Sequence, residues 1–232
     1  MSALAAEGVW KFYGDFPALR DISLQVEPGE CLALVGRNGA GKTTLLRILA
    51  GLSPPARGRV LIFGKDGRDL ASRRRTGVLG HGIAIYEELT AIENLRIFAR
   101  LYGLENQEAA ARGWLERTSL DRVADSPVRE FSRGMRQRLA LARAFLHDPE
   151  LMLLDEPFTA LDDRAIGLLQ QLLAAARNEG RTIVMSTHQL REALELATHV
   201  ALIDRGKLGF TGPRTAEMAA DPGYLYRTYG EA

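Results

Sequence analysis

The residues best suited to chemistry form a short glycine-rich segment between two apolar runs. Gly36, Gly39 and Gly41 precede Lys42 and Thr43, so the segment fits the pattern Gly-x-x-x-x-Gly-Lys-[Ser/Thr]. Glycines let successive backbone N–H groups converge on phosphate oxygens, and the positive end of a following helix favours the same anion. Lys42 would reach the β- and γ-phosphates, and Thr43 would offer its hydroxyl to Mg²⁺. The pattern therefore predicts a loop that binds a nucleoside triphosphate.

The flanking residues support this interpretation. The apolar run 31–35 predicts a strand and the run 44–50 predicts a helix, which is the context that the motif requires. A chance glycine-rich turn is the alternative, and it does not call for that context. We expect nucleotide contacts from Gly36, Arg37, Asn38, Gly39, Ala40, Gly41, Lys42, Thr43 and Thr44, with Lys42 also acting in catalysis.

A second chemical motif is a pair of carboxylates, Asp155 and Glu156, directly after the apolar run 151–154. In an α/β sheet, ligands bind at the carboxyl ends of the strands, where the phosphate loop also lies. We expect Asp155 to hold Mg²⁺ directly or through water, and Glu156 to polarise the attacking water. Taken alone, the two residues fit an exposed acidic pair at a strand end equally well.

Composition limits the class of protein. The chain has 232 residues, of which 46% are hydrophobic and 25% charged, and its net charge is +1. These are ordinary globular values, and they give no electrostatic case for a nucleic-acid surface. The single cysteine, Cys31, excludes a disulfide framework and is predicted to be a buried structural thiol. The four histidines lack metal-ligand spacing, and neither a signal peptide nor a membrane span is expected.

The order of apolar runs predicts an α/β fold. Continuous apolar strands alternating with helices favour a parallel sheet that is buried on both faces. The predicted layout is a nucleotide-binding core with a helical insert at about 85–148. We expect strands at 8–12, 22–26, 31–35, 59–63, 151–154 and 182–186, a hairpin of 199–204 with 207–211, and helices at 91–102, 107–117, 134–146 and 163–178.

Three further motifs complete an ordered set. Ser132 and Gly134 begin a helix within Ser-Arg-Gly-Met-Arg-Gln, Asp162 ends Thr-Ala-Leu-Asp, and His188 follows a strand. With this set, about residues 7–212 resemble the ABC-type ATPases, the nucleotide-binding subunits of ATP-binding cassette transporters. The resemblance implies an α/β P-loop NTPase core with a mainly parallel sheet, an antiparallel β portion and a helical signature subdomain. It also implies a single ATP-binding domain over residues 1–232.

The resemblance also assigns residues to roles. It implies that Tyr13 stacks on adenine, that His188 senses the γ-phosphate and that Asp162 belongs to the D-loop. Ser132 and Gly134 then contact the ATP held by a partner subunit. One phosphate loop and one signature per chain make two half-sites, so we expect a head-to-tail homodimer with two ATP molecules, each with Mg²⁺, at its interface.

Two positions depart from the common family pattern. Many members read Ser-Gly-Gly-Gln where this chain reads Ser-Arg-Gly-Met-Arg-Gln, although Ser132 and Gly134 are retained. His81 occupies the position of a glutamine that usually reaches the metal. Since Mg²⁺ prefers oxygen ligands to imidazole, we expect His81 to contact water or a partner, and its place among the metal ligands stays open.

The resemblance further implies membrane permease subunits as partners, contacting about residues 80–100, and a peripheral location on the cytoplasmic face of the cell membrane. In this region Thr90 and Glu93 also fit an ordinary helix capping box. Gly80-His81, the run 88–103 and the run 132–138 look most like the haem-exporter ATP-binding subunit of cytochrome c maturation. The alternatives are another exporter, for a drug, lipid or polysaccharide, and a soluble ABC ATPase outside transport.

Overall fold

The computed structural model describes residues 1–80, 85–221 and 223–230. Its strands are β1 (Leu4–Tyr13), β2 (Phe16–Val26), β3 (Cys31–Val35), β4 (Arg57–Ile62), β5 (Lys65–Asp66), β6 (Thr76–Leu79), β7 (Leu151–Asp155), β8 (Thr182–Ser186), β9 (His199–Asp204) and β10 (Lys207–Pro213). Its α-helices are α1 (Lys42–Leu49), α2 (Leu70–Arg74), α3 (Ala91–Tyr102), α4 (Gln107–Arg117), α5 (Arg133–Phe145), α6 (Asp163–Asn178), α7 (Leu190–Leu196), α8 (Ala216–Ala220) and α9 (Gly223–Tyr229).

The strands form two sheets in the described part of the chain. The larger sheet has the order β10-β9-β3-β8-β7-β6, in which every neighbouring pair is parallel except β9 and β10. The smaller sheet is antiparallel, with the order β2-β1-β4-β5. This architecture confirms the predicted α/β class with a mainly parallel sheet and an antiparallel portion. The carboxyl ends of β3, β7 and β8 therefore meet at one edge, where parallel sheets bind ligands.

Alternate residues of β3 enter two different cores because side chains on a strand point to opposite faces. Leu32 and Leu34 pack with α1 and the antiparallel sheet, whereas Cys31, Ala33 and Val35 pack towards α5, α6 and α7. The sheet is therefore buried on both faces, which explains why its strands are continuously apolar. Cys31 is buried as predicted, and burial raises the pKa of its thiol to about 12.

Helices α3, α4 and α5 enclose a third core of their own, which includes Ile92, Leu95 and Leu139. The capping box at the start of α3 is confirmed, since the Glu93 N–H donates to Thr90 Oγ1 and the Thr90 N–H donates to the Glu93 carboxylate. None of the helices in the described ranges is both long and apolar enough to cross a membrane.

Several elements differ from the sequence prediction. The first two strands begin earlier than expected, because they form one long antiparallel pair joined by a turn at Gly14-Asp15. The short elements β5, β6, α2, α7, α8 and α9 were not predicted. Strand β6 has only four residues, too few to give a clear sequence pattern, and it is stabilised by parallel pairing with β7.

The environment of His147 predicts that the stability of the fold depends on pH. Its ring stacks on Tyr102 with the centroids 3.7 Å apart, and its Nε2 lies 3.2 Å from the Thr76 carbonyl. The neutral ring donates there from Nε2, and its Nδ1 is buried with no hydrogen-bond partner in the described part of the chain. Burial, with a smaller effect of Arg143, lowers the pKa of His147 to about 4, while Thr76 and Asp148 act in the opposite direction.

We therefore expect stability to fall as the pH drops from about 6.5 to about 4, because the unfolded histidine takes up a proton that the folded one excludes. A pKa lowered from 6.5 to about 4 corresponds to roughly 3 kcal/mol of folding stability. Urea unfolding at pH 7 and pH 4.5 would measure this for the wild type and for His147→Phe, which keeps a ring but does not titrate. Equal losses of stability in the two proteins would contradict the assignment.

Candidate functional site

The glycine-rich loop lies between β3 and α1, as the motif predicts. Two of its glycines are required by close packing. A Cβ at Gly36 would lie 2.3 Å from the Ile203 carbonyl oxygen. Gly41 has a φ of 112° and caps the N-terminus of α1, and a Cβ there would lie 2.8 Å from Leu19 Cδ2. The loop is thus pressed against β9 and β2, and its backbone N–H groups stand at the N-terminus of α1.

Lys42 is enclosed by the loop, with only 6% of its surface exposed. Its Nζ donates to the Gly36 carbonyl at 2.7 Å and to the Arg37 carbonyl at 3.3 Å. Burial lowers the pKa of Lys42, against the opposing charges of Glu156 and Asp155. The ammonium group is therefore held at the centre of the loop by backbone oxygens, with two carboxylates near it.

A cluster of oxygen atoms connects the phosphate loop to the ends of β7 and β8. Thr43 Oγ1 donates to Asp155 Oδ1 at 3.1 Å, and Ser186 Oγ donates to the same oxygen. Asp155 and Ser186 are directly paired across the parallel strands, and both are buried. Hydroxyl and carboxylate oxygens are the donors that Mg²⁺ prefers, so this cluster fits the predicted metal role of Thr43 and Asp155. Ser186 is an addition to the predicted site.

Glu156 and His188 form a pair beside this cluster. One carboxylate oxygen of Glu156 accepts from the His188 backbone N–H at 3.2 Å and lies 2.8 Å from His188 Nδ1. Glu156 has a φ of 50°, a backbone conformation that is costly for a residue with a side chain. Its own N–H donates to the Ser186 carbonyl at 2.9 Å. The last residue of β8, Ser186, and His188 just after the strand therefore fix Glu156 from two sides.

These groups surround one open cavity of about 500 Å³. Of the predicted nucleotide contacts, Gly36, Arg37 and Ala40 build the loop but do not line the cavity. Thr159 also lines it, and its Oγ1 is buried with no hydrogen-bond partner among the described residues. The predicted residues that line it are Tyr13, Asn38, Gly39, Gly41, Lys42, Thr43, Thr44, Glu156 and His188.

An aromatic pair forms the far wall of the cavity. Tyr13 and Phe16 are paired across the β1–β2 turn, and they are 54% and 63% exposed. Sequence reasoning found Tyr13 and missed Phe16. The available signal was the spacing: two aromatic residues flanking Gly14-Asp15 are directly opposite each other in a two-residue hairpin.

The remaining predicted residues lie outside this cavity. Ser132 caps α5 and accepts from the Met135 N–H at 3.2 Å. A Cβ at Gly134 would lie 3.2 Å from the Ala160 carbonyl oxygen. Asp162 caps α6 and accepts from the Ala165 N–H at 2.8 Å. The cavity around the phosphate loop of the same chain is lined by none of these three residues.

The predicted metal role of His81 falls outside the described residues. Among the residues that the structure does describe, no group of three or more His, Cys, Asp or Glu side chains is arranged to hold a metal. The oxygen donors near the phosphate loop come instead from Thr43, Ser186 and Asp155.

A phosphate loop and a strand-end carboxylate at the same edge of a parallel sheet define the class of P-loop nucleotide-binding proteins. The model of one family within this class, described as ABC transporter, matches residues 19–159. This chain belongs to the ABC transporter family.

Three named ATP-binding proteins are similar to this chain. The chain is 41% identical over 208 residues to the Nod factor export ATP-binding protein I of Cupriavidus metallidurans, covering 88% of this chain and 69% of that protein. It is 37% identical over 218 residues to the ABC transporter ATP-binding protein NatA of Bacillus subtilis, covering 90% and 89%. It spans 62% of the Nod factor export protein of Cupriavidus pinatubonensis. None of these three proteins is named as a haem exporter.

Solved structures share the fold over nearly the whole chain. An ATP-binding subunit of an ABC transporter aligns with a TM-score of 0.86 and 31% identity, covering 100% of this chain and 96% of that one. A dimeric ATP-binding cassette in a post-hydrolysis state, bound to ADP and Pi, aligns with a TM-score of 0.84 and 27% identity, covering 91% and 99%.

Proposed function

We propose that this chain is the ATP-hydrolysing subunit of an ABC exporter. The observation that carries the proposal is that the phosphate loop and the Glu156–His188 pair line one cavity, with Asp155 bonded to Thr43 of that loop. We treat residues 1–232 as a single ATP-binding domain with a helical subdomain at about 85–148. The relative named for Nod factor export supports the choice of an exporter.

Lys42 and the loop bind the phosphates in this mechanism. The N–H groups of the loop and the N-terminus of α1 attract the anion. The Lys42 ammonium already donates hydrogen bonds to the Gly36 and Arg37 carbonyls, so it adds a positive charge at a fixed position. A bound triphosphate also compensates for the cost of burying that charge.

Thr43 and Asp155 would hold Mg²⁺, because they supply the hydroxyl and carboxylate oxygens nearest the loop. When bound, Mg²⁺ neutralises charge that develops on the phosphates. Ser186 fixes the Asp155 oxygen that faces Thr43, so it keeps the donor set in place.

Glu156 is the proposed general base. Its carboxylate orients a water for in-line attack on the γ-phosphorus and takes the proton as the new P–O bond forms and the bond to the β-phosphate oxygen breaks. His188 holds the carboxylate through its backbone N–H and Nδ1. Its imidazole is 54% exposed at the cavity, where its other nitrogen would contact the γ-phosphate.

A second copy of the chain completes the site in this proposal. Ser132 and Gly134 do not line the cavity of their own chain, which suits residues that cap ATP in a partner. The similar solved structure that is dimeric and bound to ADP and Pi supports a dimer. We propose a head-to-tail homodimer with two ATP molecules, in which Asp162 lies near the interface.

The dimer would drive permease subunits at the cytoplasmic face of the cell membrane. The three named relatives give no support to the haem-exporter interpretation, so we retain the alternative of another exporter. A pull-down of the Glu156→Gln variant in detergent with ATP and Mg²⁺ tests the partner. A co-purified permease supports the proposal, whereas ribosomal or DNA-bound partners without a permease would point to a soluble ABC ATPase.

The aromatic wall gives a prediction for adenine binding. We expect Tyr13→Ala to weaken ATP binding about 10-fold and Tyr13→Ala/Phe16→Ala to weaken it further, since stacking on a base contributes about 1–3 kcal/mol. Tyr13→Phe retains the ring and should bind nearly normally. Titration with ATP and with inorganic tripolyphosphate separates base from phosphate binding. Phe12→Ala is the matched control, because Phe12 stacks on Trp10 and does not line the cavity. Equal losses for both ligands would contradict stacking.

A further inference from the structure

The side chain of Arg136 joins three segments near the signature residues. Arg136 lies in the first turns of α5, and its N–H donates to the carbonyl of the cap residue Ser132 at 3.0 Å. Its guanidinium donates from Nε to the Val128 carbonyl at 3.3 Å and from Nη2 to the Arg129 carbonyl at 2.9 Å. The remaining terminal nitrogen, Nη1, lies 3.1 Å from the Glu87 carboxylate.

The segment between Arg136 and Glu87 is itself bonded on both sides. The Val128 N–H donates to the Leu89 carbonyl and the Arg129 N–H donates to the Glu87 carbonyl, each at 2.9 Å. The carbonyls of the same two residues, Val128 and Arg129, accept from Arg136. Residues 128–129 therefore lie between the 86–90 segment and α5, held by backbone bonds on one side and by one guanidinium on the other.

The 86–90 segment has a fixed position relative to α3 as well. Asn94 is fully buried, and its side chain accepts from the Tyr86 N–H at 2.7 Å and donates to the Tyr86 and Thr90 carbonyls at 2.9 Å. Direct hydrogen bonds therefore link 86–90 to residues 128–129, and those residues to Arg136.

The chemistry of the connection requires arginine. Three acceptors in three directions need the planar fork of a guanidinium, and a lysine ammonium is a single point that does not reproduce it. The Glu87 pair is part-exposed, with 29% of the Arg136 side chain and 55% of the Glu87 side chain accessible. Such a pair contributes little to folding stability, so its main effect is on geometry.

We infer that Arg136 is a positioning residue for the signature half-site. It holds the turn that leads into Ser132, and through Glu87 it couples the position of Ser132 and Gly134 to the 86–90 segment. This inference rests on the proposed function, in which Ser132 and Gly134 contact the ATP of a second copy. Arg136 does not line the cavity around the phosphate loop.

The test uses the full chain carrying Glu156→Gln, so that ATP is bound but not consumed. We expect Arg136→Lys and Arg136→Met to raise the dissociation constant of the ATP-dependent dimer about 10-fold in sedimentation experiments. The ATP affinity of the monomer should stay close to the parent value, because Arg136 does not line the cavity at the phosphate loop. The melting temperature should also change little, because the Arg136–Glu87 pair is part-exposed. Arg138→Lys is the matched control: Arg138 lies in the same helix and donates to the Thr118 and Ser119 carbonyls, away from 86–90.

The coupling to Glu87 has its own measurement. Glu87→Gln should weaken the dimer less than Arg136→Met, and the double variant should be no worse than Arg136→Met alone. Hydrogen exchange at the Val128 and Arg129 amides should accelerate in both Arg136 variants. Dimers as tight as the parent in both Arg136 variants would overturn the inference, and independent, additive effects would overturn the link to Glu87. If the parent itself does not dimerise with ATP, the homodimer of the proposed function fails, and this inference fails with it.

Discussion

Replacing Glu156 with glutamine is expected to lower ATP turnover by at least about 100-fold while leaving ATP affinity of the monomer nearly unchanged. A general base contributes about 10²–10⁴-fold to a rate, and the glutamine side chain keeps the shape but takes up no proton. In the wild type the His188 N–H donates to the Glu156 carboxylate at 3.2 Å. The glutamine amide oxygen can accept the same hydrogen bond, so the local structure should persist. Phosphate release and nucleotide titration measure the two effects separately.

The same variant should accumulate as an ATP-bound dimer, because hydrolysis is the step that reopens the interface in the proposed cycle. Light scattering with ATP and Mg²⁺ would detect this dimer. Glu116→Gln, at an exposed position on α4, is the control for a lost carboxylate elsewhere. If Glu156→Gln hydrolyses ATP at the wild-type rate, Glu156 is not the base. If turnover stops and ATP binding is also lost, the substitution has damaged the nucleotide site instead.

His188 restricts the position of the Glu156 carboxylate, which is the group that the Glu156→Gln substitution removes. Its backbone N–H and its Nδ1 both engage one oxygen of Glu156. The carboxylate that would orient the attacking water is therefore restricted in its rotation. Since Glu156 also has a positive φ and a backbone bond to Ser186, the carboxylate is positioned before any nucleotide binds. Such preorganisation is what electrostatic catalysis requires.

Local patterns were enough to predict most of the chain. The bounds of α3, α4, α6, β8 and β9 agree with the prediction. Helices α3 and α6 begin at the capping residues Thr90 and Asp162, and apolar patterning with flanking turns delimits the other elements. The phosphate loop and the strand-end carboxylates were found for the same reason, since their chemistry is encoded in consecutive residues.

What the sequence could not reveal depends on which strands become neighbours. Ser186 bonds Asp155 only because β8 lies directly beside β7, and these residues are 31 positions apart. Arg136 reads as one more basic residue of an amphipathic helix until residues 86–90 and 128–129 are placed against each other. Phe16 was missed because aromatic residues on both sides of a turn are also typical of ordinary strands.

Lys42 should have the largest effect on nucleotide binding. A lysine–phosphate contact at about 4 Å contributes roughly 4 kcal/mol before desolvation at an effective dielectric constant near 20. We expect Lys42→Met to weaken ATP binding by at least about 100-fold, which is about 2.7 kcal/mol. Equilibrium dialysis with ATP and Mg²⁺ would measure the loss, and Lys65→Met, at an exposed position in β5, is the control for a lost positive charge.

The effect of Lys42→Met on folding separates binding from structure. The buried ammonium loses hydration, which lowers its pKa, and it regains part of that energy from the Gly36 and Arg37 carbonyls and from Asp155 and Glu156. Methionine fills a similar volume and removes both the cost and the compensation, so the free energy of unfolding should change little. A variant that binds ATP as tightly as the wild type would contradict the phosphate role. A variant that unfolds would show instead that Lys42 mainly supports the loop, because a buried charge that is needed for folding must gain more from its carbonyl and carboxylate partners than it loses in hydration.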